Sequence, residues 1–253
     1  MNYLSITQRY YAHWLGVPAA QLNCSEVCFA ESAERGVAQK GYPQALPLYI
    51  YCGDTLFAKP IVVSYSRTIV TEINAVRGSL QPGMSIDEII ILITKHFKTS
   101  VNHNSKFCYQ ESLEHIDVAK VIRLETNHYR QYYDFFMALH TDAKPDSWLE
   151  EYFSDICRSG FAFGIFDNAK LVCVSDVPDM PYLSDECQEI GINTLKDYRC
   201  CGYAKAVAHA SARAIVSNGK CPQWSCAADN GASAKLARNL GFMKLADVVT
   251  VGV

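Results

Sequence analysis

Hydrophobic and polar positions repeat with two different periods along this chain, and the switches between them predict a mixture of helices and strands. Near the start, Ser5-Ile6-Thr7-Gln8 has the pattern of a capping box and predicts a helix to about residue 16. Residues 18–45 are mixed, with a short helix expected near 32–35. Residues 48–51 and 55–58 flank Gly53-Asp54 as a hairpin, and 60–63 read as a further strand. A helix is expected over about 66–76, then a turn at Gln81-Pro82-Gly83. Ser85-Ile86-Asp87-Glu88 is a second capping box, opening an amphipathic helix to about residue 97. Residues 98–118 are polar and irregular except for a short strand at 106–109.

The second half is more regular. A strand at 121–124 precedes an aromatic-rich helix at 128–139 and another from 145 to about 158. Residues 161–166 and 171–177 form a hairpin across Asp167-Asn168-Ala169-Lys170, followed by a loop at 178–184. An apolar strand at 188–195 leads through a turn into an alanine-rich helix over 202–217, stopped by Asn218-Gly219. A buried strand at 222–228, a compact helix closed by Gly241 and a final apolar strand complete the chain. The order is β-α-α-β-β-β-α-β-α-β. We place a boundary near Ser112, which gives an N-terminal α/β module over 1–112 and a second domain over 119–253.

Composition narrows the functional classes. Of the 253 residues 49% are hydrophobic, enough for a substantial core. The formal net charge is −3 and the Lys and Arg residues are scattered, which argues against nucleic-acid binding. The apolar run from Ile89 to Ile93 is far too short to span a membrane. Eleven cysteines show no small-secreted-domain spacing, and no basic segment followed by an apolar stretch opens the chain. A cytoplasmic chain with reduced thiols is therefore expected. Cys24 and Cys28 have no second Cys or His pair at matching spacing, so no metal site is expected.

The candidate chemistry centres on Arg199-Cys200-Cys201-Gly202-Tyr203-Ala204, at a strand-to-helix junction. Such a turn aims successive backbone N–H groups into one concavity at a helix N-terminus. Free donors and the helix dipole both favour a pyrophosphate there. Gly202 allows close backbone approach, and Arg199 adds a fixed charge. The strand before it carries one internal carboxylate, Glu189. Its side chains alternate, with Cys187, Glu189, Gly191 and Asn193 on one face and Gln188, Ile190, Ile192 and Thr194 on the other.

Downstream stands Pro222-Gln223-Trp224-Ser225-Cys226, then Asn230, Ser233, Leu236-Ala237 and Gly241-Phe242. The order strand, Arg-x-x-Gly-x-Ala, helix, strand, Asn-x-x-Ser-x-x-Leu-Ala-x-x-x-Gly-Phe resembles the coenzyme-A-binding half of the GNAT N-acetyltransferase superfamily. It looks most like the bacterial subgroup with Pro-x-Trp-x-Cys before the asparagine and a Thr five residues before the arginine, here Thr194. The close match covers roughly residues 187–245. A looser match in element order reaches back to about 119, and the first 110 or so residues carry no such motif.

The resemblance implies an α/β (α+β) GNAT fold, a mixed, mostly antiparallel sheet flanked by helices. It implies acetyl-CoA as co-substrate, no metal, and transfer to the amine of a small-molecule acceptor by direct attack on the thioester. Ile192, Asn193 and Thr194 would lie along the pantetheine arm, with backbone groups of Ile192 and Thr194 paired to its amides. The pyrophosphate would rest on Cys201, Gly202, Tyr203 and Ala204, with Arg199 and Cys200 at the turn, and Asn230 and Ser233 would face the cofactor. An alkyl ammonium of pKa ~10 needs a base at neutral pH, and the family often carries one where Glu189 stands. The alternative for Glu189 is a strand-end carboxylate paired with a neighbouring cation. Glu186, Asp185 and His128 are further candidates. Asn230 equally suits a helix cap, and Tyr129, Tyr132 and Tyr133 suit either an acceptor pocket or the core. Ala237 stands where many members carry a tyrosine acid, and Cys200 where glycine is common. These departures keep open a second reading, a CoA-binding sensor or interaction protein with little transfer. The assembly state is open, a homodimer being one option.

Overall fold

The computed structural model describes residues 1–40, 42, 44–54, 59–111 and 116–252. Helix α1 (Tyr3–Leu15) opens before the Ser5 box, because Asn2 caps it by accepting the Ser5 N–H at 3.0 Å. Gln8, which that box needs, instead donates to Asn23. Strand β1 (Val27–Glu31) falls in the stretch read as mixed; most of its residues are only half-buried, so no clear alternation marks it. Strand β2 (Leu48–Gly53) runs antiparallel to β3 (Ile61–Tyr65), which in turn pairs parallel with β1. The strand expected at 55–58 lies outside the described residues. Helices α2 (Val70–Arg77) and α3 (Ile86–Phe97) follow, and the Ser85–Glu88 capping box forms as read. Strand β4 (Asn102–Tyr109) is twice the expected length; its polar first half conceals it.

The remaining elements match the sequence reading closely. They are β5 (Ile122–Arg123), α4 (Tyr129–Leu139), α5 (Trp148–Ser159), and the hairpin of β6 (Phe163–Asp167) and β7 (Lys170–Ser175). Then come β8 (Cys187–Glu189), β9 (Asn193–Thr194), α6 (Tyr203–Ser217), β10 (Cys221–Ala227), α7 (Gly231–Asn239) and β11 (Phe242–Val251). They form two sheets, β1-β3-β2-β11-β4-β10-β8 and β5-β6-β7-β9, with mostly antiparallel pairing. The boundary expected near Ser112 lies outside the described residues. Strands from both sides of it share the larger sheet: β4 lies between β11 and β10, and β2 pairs with β11.

Three apolar clusters hold these layers. Val207, Ala208, Ala212 and Ile215 of α6 pack with Trp224, Phe107 and Val172 on one face. Tyr10, Tyr11, Trp14 and Leu15 of α1 cover Tyr49, Tyr51 and Val248 on the other. Ile73, Ile89 and Ile93 of α2 and α3 pack on Leu48, Ile50 and Val249. Each such fully buried aliphatic side chain contributes about 1.5–3 kcal/mol. The tyrosines of α4 belong to the first cluster, with Tyr132 stacked on Phe153 at 4.4 Å. No helix among the described residues is long and apolar enough to cross a membrane.

Candidate cofactor cleft and active site

One extended segment, residues 187–194, serves both sheets. Its first part, β8, pairs parallel with β10, and its second part, β9, pairs antiparallel with β7. The crossing can be followed bond by bond. Ile190 N donates to Gln223 O at 3.0 Å, whereas Gly191 N donates to Asp176 O at 2.9 Å and Leu195 N to Val172 O at 3.0 Å. Backbone groups alternate in direction along a strand. Ile192 and Thr194 therefore turn their backbone edges away from β7, towards β10. The pairing with β10 has already ended at Glu189 and Gln223. A gap opens there, and by the same alternation Ser225 and Ala227 face it from the β10 side. Gly191 sits at the crossing because a Cβ there would collide with Asp176 Oδ1.

The gap leads to the turn at Arg199. Arg199 Nε donates to the Thr194 carbonyl at 3.2 Å, tying the turn to the strand. Cys200 has φ +62° and Gly202 φ +81°, both left-handed, which curls the backbone under the start of α6. A Cβ on Gly202 would meet nothing within 4 Å, so the space before it is open. No side chain caps α6. Its first N–H groups, which have no intrahelical partner, therefore open onto a cavity of about 490 Å³. Ile192, Asn193 and Thr194 form its strand wall, and Arg199, Cys200 and Gly202 its turn. Tyr203 and Ala204 of α6 complete one side, Asn230, Ser233 and Leu236 the other. Cys201 is exposed at the turn, outside this lining. The cavity has apolar and polar walls and lies against these unpaired donors, so its residues could hold a pantetheine chain and a pyrophosphate.

Asn230 and Ser233 fulfil structural roles as well. Asn230 Oδ1 accepts the Ser233 N–H at 3.0 Å and caps α7, while Ser233 Oγ accepts from Trp224 Nε1 at 3.2 Å. Glu189 points to the opposite face of the sheet, the one that α1 covers. Its carboxylate accepts the Ser225 hydroxyl from the next strand. Lys106 pairs with Ser225 in register and so stands on that face too. Among the described residues no ion pair joins Lys106 to Glu189, so the strand-end cation partner is not formed. Of the other base candidates, Glu186 pairs with Arg9 and His128 Nδ1 accepts the Glu125 N–H at 3.1 Å, while Asp185 is exposed before β8. The eleven cysteines are all free thiols, and no group of three or more His, Cys, Asp or Glu side chains among the described residues could hold a metal.

A family profile described as GNAT acetyltransferase matches residues 87–247, well over half of the chain. The chain belongs to the GNAT acetyltransferase family. Among curated proteins it is similar to the uncharacterized N-acetyltransferase YdfB of Bacillus subtilis (strain 168), 32% identical over 108 residues. That stretch is 41% of this chain and 40% of the relative. Among solved structures, a GNAT-family acetyltransferase from Colwellia psychrerythraea superposes with a TM-score of 0.50 at 19% identity, over 60% of this chain and 57% of that one. The likeness is one of fold, and the chain covers less than two thirds of either protein.

Within this GNAT chain two positions depart from the pattern. Ala237 is fully buried on the inner face of α7, so no side chain reaches the cavity from the position where many members carry a tyrosine. Cys200 takes up the left-handed backbone that glycine would adopt at lower cost. Sequence reasoning missed Tyr198, which lines the cavity while its hydroxyl donates to Asp167 at 3.1 Å. It also missed Asp176, whose burial pushes its carboxyl up to about 6. Lys106 was legible only as the start of a short strand. A lone cation leading the apolar run Phe107-Cys108-Tyr109 was the signal available.

Proposed function

We propose that the chain is an acetyl-CoA-dependent N-acetyltransferase acting on a small-molecule amine. The observation that carries this reading is the pairing of an unzipped strand gap with an uncapped helix start, both opening on one cavity. Away from β7, the Ile192 groups and the Thr194 N–H suit the amides of a pantetheine arm, the Thr194 carbonyl being held by Arg199, and the N–H groups at the start of α6 suit its phosphates. Bound there, acetyl-CoA supplies a thioester carbon at the gap. Glu189 then stands across the sheet from the cofactor helices and takes the proton as the amine nitrogen forms its bond to that carbon. The carbon–sulfur bond breaks, and the sulfur leaves as a thiolate, tolerable at a thiol pKa of ~8.5. Ser225 holds the Glu189 carboxylate in place through its hydroxyl.

The test is calorimetric titration with acetyl-CoA of wild type and Gly202→Asp. The substitution puts an anion at the mouth of the turn, and binding is expected in wild type and lost in the variant. Absence of binding by folded wild type would sink the proposal. Binding without CoA release across a broad amine panel would favour the sensor reading that Ala237 supports.

A further inference from the structure

We infer that the acceptor site is a second cavity on the α1 face, and that it takes a small primary amine carrying an oxyanion group, anchored by Lys106. The inference deepens the transferase reading and rests on it. The cavity measures about 330 Å³ and is lined by Tyr42, Tyr49, Asn102, Asn104, Lys106 and Ala227 among others. Ala227, at the end of β10, lines this cavity, and Asn230, three residues on, lines the cofactor cavity. The turn after β10 therefore joins one wall of each cavity.

Its charge is one-sided. Lys106 is only 8% exposed, and no hydrogen bond or ion pair reaches its ammonium among the described residues; the carboxylate that acts on it, Glu189 on β8, lies beyond ion-pair distance. A cation removed from water is costly unless a counter-charge meets it. No Asp or Glu lines the cavity among the described residues. His103 lines it too, but its imidazole bonds Asp247 at 3.1 Å. By strand alternation Asn102 and Asn104 share the face of Lys106 and offer neutral donors. Arg35 adds a second buried cation behind the wall, stacked over the Trp14 ring at 4.6 Å and without a carboxylate partner among the described residues. It is 1% exposed, its guanidinium lies 5.5 Å from the centroid of the Tyr49 ring, and its nitrogens have no hydrogen-bond partner among the described residues. Glu189 stands one strand beyond Ser225. Strand spacing and rise put its Cα roughly 12 Å from that of Lys106. The Glu189 carboxylate reaches back to Ser225, the in-register neighbour of Lys106, so an amine a few atoms from an oxyanion on Lys106 comes within its reach.

The experiment uses the full chain and matched acceptors: 4-aminobutyrate with propylamine, lysine with cadaverine, and O-phosphoethanolamine with ethanolamine. CoA release from acetyl-CoA gives kcat/KM, and calorimetry on CoA-loaded protein gives binding. The anionic member of at least one pair is expected to be preferred about tenfold or more. The carboxylate and phosphate arms separate the two sources of the charge. In Lys106→Met the preference should fall to about twofold or less, and Lys106→Arg should restore part of it, with acetyl-CoA affinity unchanged in both. Equal or better use of the uncharged members, no binding of any pair by protein that binds acetyl-CoA, or a preference that survives in Lys106→Met overturns the inference. Wild type that binds no acetyl-CoA overturns the transferase reading and this one with it.

Discussion

Glu189 and Asp176 lie on either side of the Gly191 crossing, yet their surroundings assign them different work. Glu189 is half-buried and fixed by Ser225 on the face of the proposed acceptor cavity. Glu189→Gln should lower kcat by about 100-fold or more, in line with the loss of a general base, while acetyl-CoA affinity stays within about twofold. Steady-state kinetics beside calorimetry check this, and unchanged turnover would remove Glu189 from the mechanism. Asp176 is partly buried against the Gly191 crossing, and desolvation raises its folded pKa to about 6 from an ordinary 3.8. A carboxyl raised in the folded state holds its proton more tightly there than in the unfolded chain. Its contribution to stability is therefore greatest below pH ~4 and is lost as the pH rises to about 6. Asp176→Asn should abolish that slope and gain ~2–3 kcal/mol relative to wild type across the same window. Chemical denaturation at pH 4, 5, 6 and 7 gives the comparison; parallel pH profiles would refute it.

At the scale of elements, legibility followed local pattern. The α6 helix, the turn before it and the α7 cap were readable because short-range chemistry fixes them: a left-handed glycine, an asparagine cap, an alanine-rich face. The capping box at Ser85 was readable for the same reason, whereas the one at Ser5 lost to Asn2, a competitor three residues earlier. Strand β4 was half-hidden because Asn102, His103 and Asn104 look like a loop, although long-range pairing with β11 and β10 makes them strand. The turn-and-cap residues of the cofactor cavity were legible by spacing, and all but Cys201 line it. The acceptor side was not, because Lys106, Tyr49 and Ala227 come from three separated strands and share no motif. Only the register of β4 on β10 shows that Lys106 and Ser225 are neighbours.

For the whole molecule the decisive fact is where β4 lies. Both β10 and β11 bond to it along most of their length, and β11 then bonds β2 on its other side. A fragment of residues 119–253 would leave β10 and β11 without their shared neighbour and expose the apolar surface that α1 covers. It should fail to give a cooperative thermal transition and should elute as aggregate, whereas the full chain melts as one unit. Circular dichroism and size-exclusion chromatography decide this, and a cooperative, monodisperse fragment would refute it. The segment at 187–194 has a further consequence for how such a molecule can change over time. It carries the proposed base on one side and the proposed cofactor edge on the other, three to five residues apart. Any substitution that shifts it disturbs both partners of the reaction together. New acceptor preferences can then arise only on the far walls, in β4 and the residues around Tyr42 and Tyr49, where a side chain can be exchanged without moving the spine.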